Sequence, residues 1–306
     1  MQSLWVLLAS FLLSIVGIII KFTAQAGYST GEVVFYRTFI GVVVVSIMMA
    51  ARGVSPRSKY TLGHVQRGIA GTFAMWLFVY AVVHLPLSTA ITLNFTAPLW
   101  IALMLALVFG ERLSKTMMAA LALGFLGIVI LLKPIFSPEM RFDITIGLIS
   151  GVAAAVALLN VRRLGALGEP EMRIFWWSSS IIAGGAALWL TATGGWHWHG
   201  GEGLMWILAM GTLAAAAQLS QTRAFSRGAT ILAANLSYST VLFSALADLL
   251  IWNVHIPLMG WLAITIIIAS GIMATLRTRK NVQRAAAAPA TATPATVTPE
   301  PPASSP

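Results

Sequence analysis

Ten residues of this sequence have side chains suited to holding or gating a polar solute, and all ten lie inside long apolar runs: Arg37, Trp76, Tyr80, Asn94, Pro98, Gln218, Gln221, Asn235, Tyr238 and Asp248. Arg37 offers a rigid fork of donors that matches a carboxylate or phosphate. Placing it among apolar residues costs at least a few kcal/mol on insertion scales, so such arginines are seldom idle. The alternatives are that it snorkels outward or pairs with a structural carbonyl. Asp248 is the one acid well inside an apolar run. A carboxylate taken out of water holds a proton more readily, so it suits a coupling proton or a cationic group on a substrate. An exposed interfacial carboxylate, or a bridge to Arg37 serving as an outer gate, fits equally well.

The remaining eight fall in pairs at helical spacing. Trp76 and Tyr80 share one face at i, i+4, as do Asn94 and Pro98; Gln218 with Gln221 and Asn235 with Tyr238 do so at i, i+3. Amides and aromatics arranged in this way can bind the ends of a polar solute while rings cover its apolar part. The plainer use is hydrogen bonding between helices, worth about 0.6 kcal/mol per contact in a bilayer.

The elements that must carry these residues follow from composition. Of 306 residues, 58% are hydrophobic and 9% charged, and the mean hydropathy is +0.86. A soluble domain carries about 25% charged residues, so this is an all-α integral membrane protein. The net charge of +10 is explained by cytoplasmic loop bias without invoking nucleic acid. The absence of cysteine removes disulfides, thiol nucleophiles and thiolate metal sites. Ten apolar segments are expected, at roughly 3–20, 31–50, 68–84, 87–110, 115–132, 145–161, 174–192, 203–222, 229–252 and 256–276. The first runs straight into Lys21 with no small-residue cleavage site, which reads as a membrane helix. From Leu87 to Gly110 there are 24 residues without a charge, yet Asn94, Thr96 and Pro98 sit near the midpoint. Polar atoms and a helix breaker persist at that depth only against protein or a water-filled cavity. Residues 281–306 are rich in Ala, Pro, Thr and Ser and should form a disordered cytoplasmic tail.

Counting Lys and Arg orients the chain. With the N-terminus inside, the inner connections and C-terminal end hold 15 of the 19 cations, Arg67 among them, and the outer connections hold 3 (Lys21, Lys133, Arg141), with Arg37 inside a helix. That split predicts a multi-pass inner-membrane protein with both termini cytoplasmic. Weak internal similarity recurs at about 140 residues: Gly71-Thr72 against Gly211-Thr212, and Asn94-Phe95-Thr96 against Asn235-Leu236-Ser237. Five segments per unit make the second copy inverted, giving units at 1–135 and 144–278, a recurrent design of secondary transporters.

The run YAVVHLPLSTAITLNFTAPLWIALMLALVFGERLS, followed by LGFLGIVILLKP, resembles the first half of an EamA-type member of the drug/metabolite transporter superfamily. Pro98, Gly110-Glu111, Gly124, Gly127 and Arg37 fit its pattern. The second half departs from it, with Ser239 near the place matching Pro98 and Trp252-Asn253 near that of Glu111. The resemblance implies a ten-helix inverted-repeat carrier with a central cavity and with the fifth and tenth helices peripheral. It also implies export of amino acids and metabolites more often than import of nucleoside-like cofactors.

Other chemistry finds little support. An intramembrane aspartyl protease needs two aspartates. No H-E-x-x-H, G-x-S-x-G or phosphate-cradling Gly-Lys loop occurs. Gly194-Gly195-Trp196-His197-Trp198-His199 with Glu202 suits an interfacial aromatic belt better than a metal site, so neither metal nor cofactor is expected. Small residues in the fifth segment (Ala120, Gly124, Gly127) and the tenth (Ser270, Gly271, Ala274) suit intramolecular packing or a homodimer face. The expected partners are therefore lipid and a small polar metabolite bearing a carboxylate, such as an amino acid, carried by alternating access.

Overall fold

The computed structural model describes residues 2–85, 87–107, 114–131, 140–197 and 200–253, and scattered positions between 258 and 276. Glu111, Arg112, most of the tenth segment and the tail at 281–306 lie outside the described residues. Side chains inside helices that are likewise outside them include Asn235, Asp248 and Glu202.

Among the described residues the chain is helical throughout. The long helices are α1 (Trp5–Gln25), α2 (Thr30–Ala51), α3 (Thr61–His84), α7 (Arg141–Ala166), α8 (Glu171–Thr193) and α9 (Gly200–Arg227). Shorter ones are α4 (Leu87–Asn94), α5 (Ala97–Leu107), α6 (Lys115–Leu131), α10 (Thr230–Leu236) and α11 (Ser239–Trp252). Seven stretches of the described residues are long and apolar enough to cross a bilayer. Apolar side chains point outward as well as inward: Phe11, Ile47, Phe73, Leu188 and Leu250 are all exposed. Such a surface is stable against lipid and not against water. This is a multi-pass membrane protein.

Local chemistry sets the helix ends. Ser29 Oγ accepts from the Glu32 amide at 3.3 Å while Glu32 Oε2 accepts from the Ser29 amide at 2.8 Å, a reciprocal cap that starts α2. Gly194 closes α8 in the left-handed region at φ 63°.

Two spans are interrupted. Between α4 and α5 the chain makes a turn at Phe95-Thr96, with the Thr96 amide donating to the Leu93 carbonyl at 3.3 Å. Pro98 lacks the amide that a continuous helix would aim at the Asn94 carbonyl. Between α10 and α11 a similar turn at Ser237-Tyr238 is held by Thr240 and Val241 amides donating to the Ser237 and Tyr238 carbonyls, both at 3.0 Å. The helix breaker expected near the middle of the fourth segment thus accompanies a full break. The break in the ninth contains no proline or glycine, and sequence reading did not anticipate it. In the packing, α3 lies along α7 and α8, α1 along α9 and α11, and α2 along α8 and α9.

Candidate functional site

A cavity of about 120 Å³ opens at the centre of the bundle. Its walls come from α1, α2, α3, α7, α8 and α9 and from both interrupted spans. The described part of α6 does not line it. Of the residues expected from sequence to form a site, Arg37, Asn94, Pro98, Gln218 and Gln221 face this space together. Gln218 Nε2 and Gln221 Oε1 are 3.4 Å apart. Asn94 Nδ2 donates to Ser150 Oγ at 3.0 Å, and that hydroxyl donates in turn to the Gly147 carbonyl at 2.6 Å.

The cavity also holds a second arginine. Arg67 lies in the second turn of α3, only 5% exposed, and not in a cytoplasmic connection as the charge count assumed. Its guanidinium lies beside Gly71, where a Cβ would collide with it. Arg37 is equally buried. Neither guanidinium has a hydrogen bond or ion pair among the described residues: Arg37 Nη1 and Arg67 Nε and Nη1 are buried without partners, as is Thr240 Oγ1 on the same wall. Among the described residues that line the cavity there is no Asp or Glu. Buried polar groups are ordinarily paired, so a set of donors without protein partners around one space suits a solute that brings acceptors.

Both breaks rest on glycines of neighbouring helices. A Cβ on Gly151 of α7 would come within 2.7 Å of the Leu93 carbonyl oxygen and 3.1 Å of that of Asn94, besides striking Thr96 Oγ1. A Cβ on Gly124 of α6 would lie 2.6 Å from the Tyr238 ring. Tyr238 is buried at 1% exposure in that packing and does not reach the cavity.

Trp76 and Tyr80 line a different hollow, between the start of α2 and the ends of α3 and α8. Trp76 meets Trp189 edge to face at 5.7 Å, and the Tyr80 hydroxyl donates to Asp143 Oδ1 at 3.0 Å. In the loop beyond α8, the His197 amide donates to Glu32 Oε1 at 3.0 Å, so that loop closes over the α2 cap.

At the opposite end of the bundle, Glu169 ties the α2–α3 connection to the α7–α8 turn. It accepts from Ser58 Oγ at 2.6 Å and Arg173 Nη1 at 3.0 Å, and lies 3.3 Å from His64 Nε2. Burial alone would raise its carboxyl; the bonds from Ser58 and Arg173 and the charges of Arg173 and His64 outweigh that and hold it below its ordinary value of 4.5. The sign follows: the tie is complete above that value and is lost as pH falls through the lower folded-state one. Glu169→Ala strands the buried His64 and the donors of Ser58 and Arg173. It should cost about 2 kcal/mol, read as a lower melting temperature that is insensitive to acid where the parent protein's is not.

Residues 1–133 match the EamA-like transporter family. Over nearly its whole length the chain is also similar to a pseudopaline exporter of Pseudomonas aeruginosa, at 27% identity across 90% of this chain and 95% of the relative. An S-adenosylmethionine uptake transporter of Rickettsia prowazekii is 24% identical over 58% of the chain and 60% of its own. A crystal structure, 24% identical, superposes over 91% of this chain and 98% of its own with a TM-score of 0.74, which fixes the fold alone. The family match covers residues 1–133, and the cavity is lined from within that stretch and from beyond it. Of the residues in that space, Arg67 escaped sequence reading because Gln66 and His64 around it look like loop. The signal that could have found it is Gly71, one turn on, the small residue that a long neighbouring side chain requires.

Proposed function

We propose that this protein is a secondary carrier of ten spans, arranged as inverted five-helix repeats at 1–135 and 144–278, with a cytoplasmic tail at 281–306. Its substrate is a small polar metabolite bearing a carboxylate, moved by alternating access and exported from the cell. The observation that carries the reading is the cavity bounded by two interrupted spans in corresponding places. Half-helices around a midplane cavity are how carriers present backbone polar groups to a solute.

The packing supports the repeat. Numbering spans along the chain, the first packs on the eighth (α1 with α9) as the sixth packs on the third (α7 with α3). The interrupted fourth packs on the sixth as the interrupted ninth packs on the first. Exchange of the two halves maps each contact onto its counterpart. Arg37, Asn94, Pro98, Gln218 and Gln221 are assigned to substrate binding, with Asn235 and Tyr238 shaping the second break. Trp76 and Tyr80 are assigned to an outer vestibule. The charge split supports cytoplasmic termini in an inner membrane, and Asp248 in α11 is assigned to proton coupling. The outward faces of the fifth and tenth spans, including exposed Met118, Leu123 and Leu126, are assigned to lipid or to a homodimer.

Export is favoured by the similarity to an exporter along nearly the full chain; the shorter similarity to an uptake transporter supplies the alternative, import of a nucleoside-like cofactor. Counterflow in proteoliposomes with a metabolite library, run at two pH values, tests the reading. Accumulation of a labelled carboxylate against its unlabelled form is the expected result, and Asp248→Asn should flatten its pH dependence. Absence of exchange with every library member would sink it.

A further inference from the structure

The cavity carries two buried cations and no acid among its described lining residues, which is more positive charge than one carboxylate balances. Unpaired arginines are costly in a low-dielectric interior, and an amino acid, net neutral, would leave one guanidinium uncompensated. The orphaned Thr240 hydroxyl adds a further donor on the same wall.

The two cations enter from opposite ends. On a rise of 1.5 Å per residue, Arg37 lies about 10 Å in from where α2 begins, and Arg67 about 9 Å in from where the antiparallel α3 begins. Across spans of about 33 Å this leaves their Cα atoms roughly 14 Å apart in depth. The Arg67 guanidinium shortens that gap by reaching one turn further along α3 to Gly71. The donors therefore bracket the cavity lengthwise, with Asn94 and the Gln218–Gln221 pair also on its wall.

We propose that the site is selective for an elongated metabolite with two separated anionic groups, one held by Arg37 and the other by Arg67. This rests on the carrier reading of the same cavity and narrows its substrate class. It also gives each arginine a distinct task, since the group nearer either mouth is the one released when that mouth opens.

The test compares adipate, a separated dianion, with hexanoate, its chain-matched monoanion. Alanine serves as a zwitterion and inorganic phosphate as a compact anion. The full chain in nanodiscs is titrated with each at constant ionic strength, following the melting temperature, and counterflow is measured in parallel. Adipate should act at a concentration at least tenfold below hexanoate and below phosphate. Arg37→Gln and Arg67→Gln should each bring the adipate-to-hexanoate ratio close to one, and the lysine variants, which keep the charge, should restore part of it. A ratio near one in the unsubstituted protein overturns the proposal, as does a ratio unmoved by both glutamine variants. Selective adipate binding without counterflow of any solute would leave the dianion site standing and remove the carrier reading. Exchange of neutral solutes that adipate neither joins nor inhibits would do the reverse.

Discussion

Replacing Arg37 with glutamine is expected to stop transport of a carboxylate substrate and, at the same time, to raise the melting temperature of the empty protein. The two effects have one cause. Arg37 is 5% exposed and has no hydrogen bond or ion pair among the described residues, so no protein partner offsets the cost of burying its charge. Central arginines cost about 2.5–3.5 kcal/mol on insertion scales, and a neutral amide of similar reach removes most of that. A structural arginine behaves oppositely, because its removal strands the groups it had satisfied. Flux should fall at least a hundredfold, as about 3 kcal/mol of anion binding is lost, while the apo protein melts several degrees higher. A lower melting temperature with flux intact would assign Arg37 to the scaffold.

Gly151→Val is expected to abolish function by a different route. The added Cβ meets two backbone carbonyl oxygens of the first break, those of Leu93 and Asn94, and Thr96 Oγ1 as well. Backbone cannot yield as the tip of a flexible side chain can, and overpacking of this kind costs about 1–3 kcal/mol. The displaced segment also carries Asn94 and Pro98 on the cavity wall, so the distortion reaches the site. We expect at least a tenfold loss of flux together with a lowered melting temperature. Gly184 on α8 is the control, since nothing lies within 4 Å of where its Cβ would be; Gly184→Val should change neither quantity. Equal tolerance of both substitutions would show that the break is not held by α7.

These residues differ in how plainly the chain announces them. Arg37 is conspicuous because it interrupts a run of Val, Ile and Phe, and Asn94 and Pro98 because they sit mid-span; composition and periodicity therefore reach them. Arg67 is not, because α3 begins among Thr61, His64 and Gln66 and has the lowest mean hydropathy of the seven candidate spans, 1.2. Helical spacing correctly pairs Trp76 with Tyr80, yet spacing is blind to direction: their shared face turns to the outer hollow and not to the centre. Tyr238 reads as a cavity residue at i+3 from Asn235, but the turn at 237–238 breaks the helix that this spacing assumes. Beside that break the Tyr238 ring packs against Gly124, a contact between segments that meet only in three dimensions.

The glycines beneath the two breaks have a bearing on how such a protein can be re-engineered. Each couples a cavity-forming turn to a helix whose sequence gives no hint of the connection, Gly151 to Leu93-Asn94 and Gly124 to Tyr238. A mutagenesis library aimed at new cargo should hold these three contacts constant and diversify Phe78, Ser179 and Gln218, whose side chains border the void without bracing a turn. Variation would then change what fits inside while sparing the joints around it.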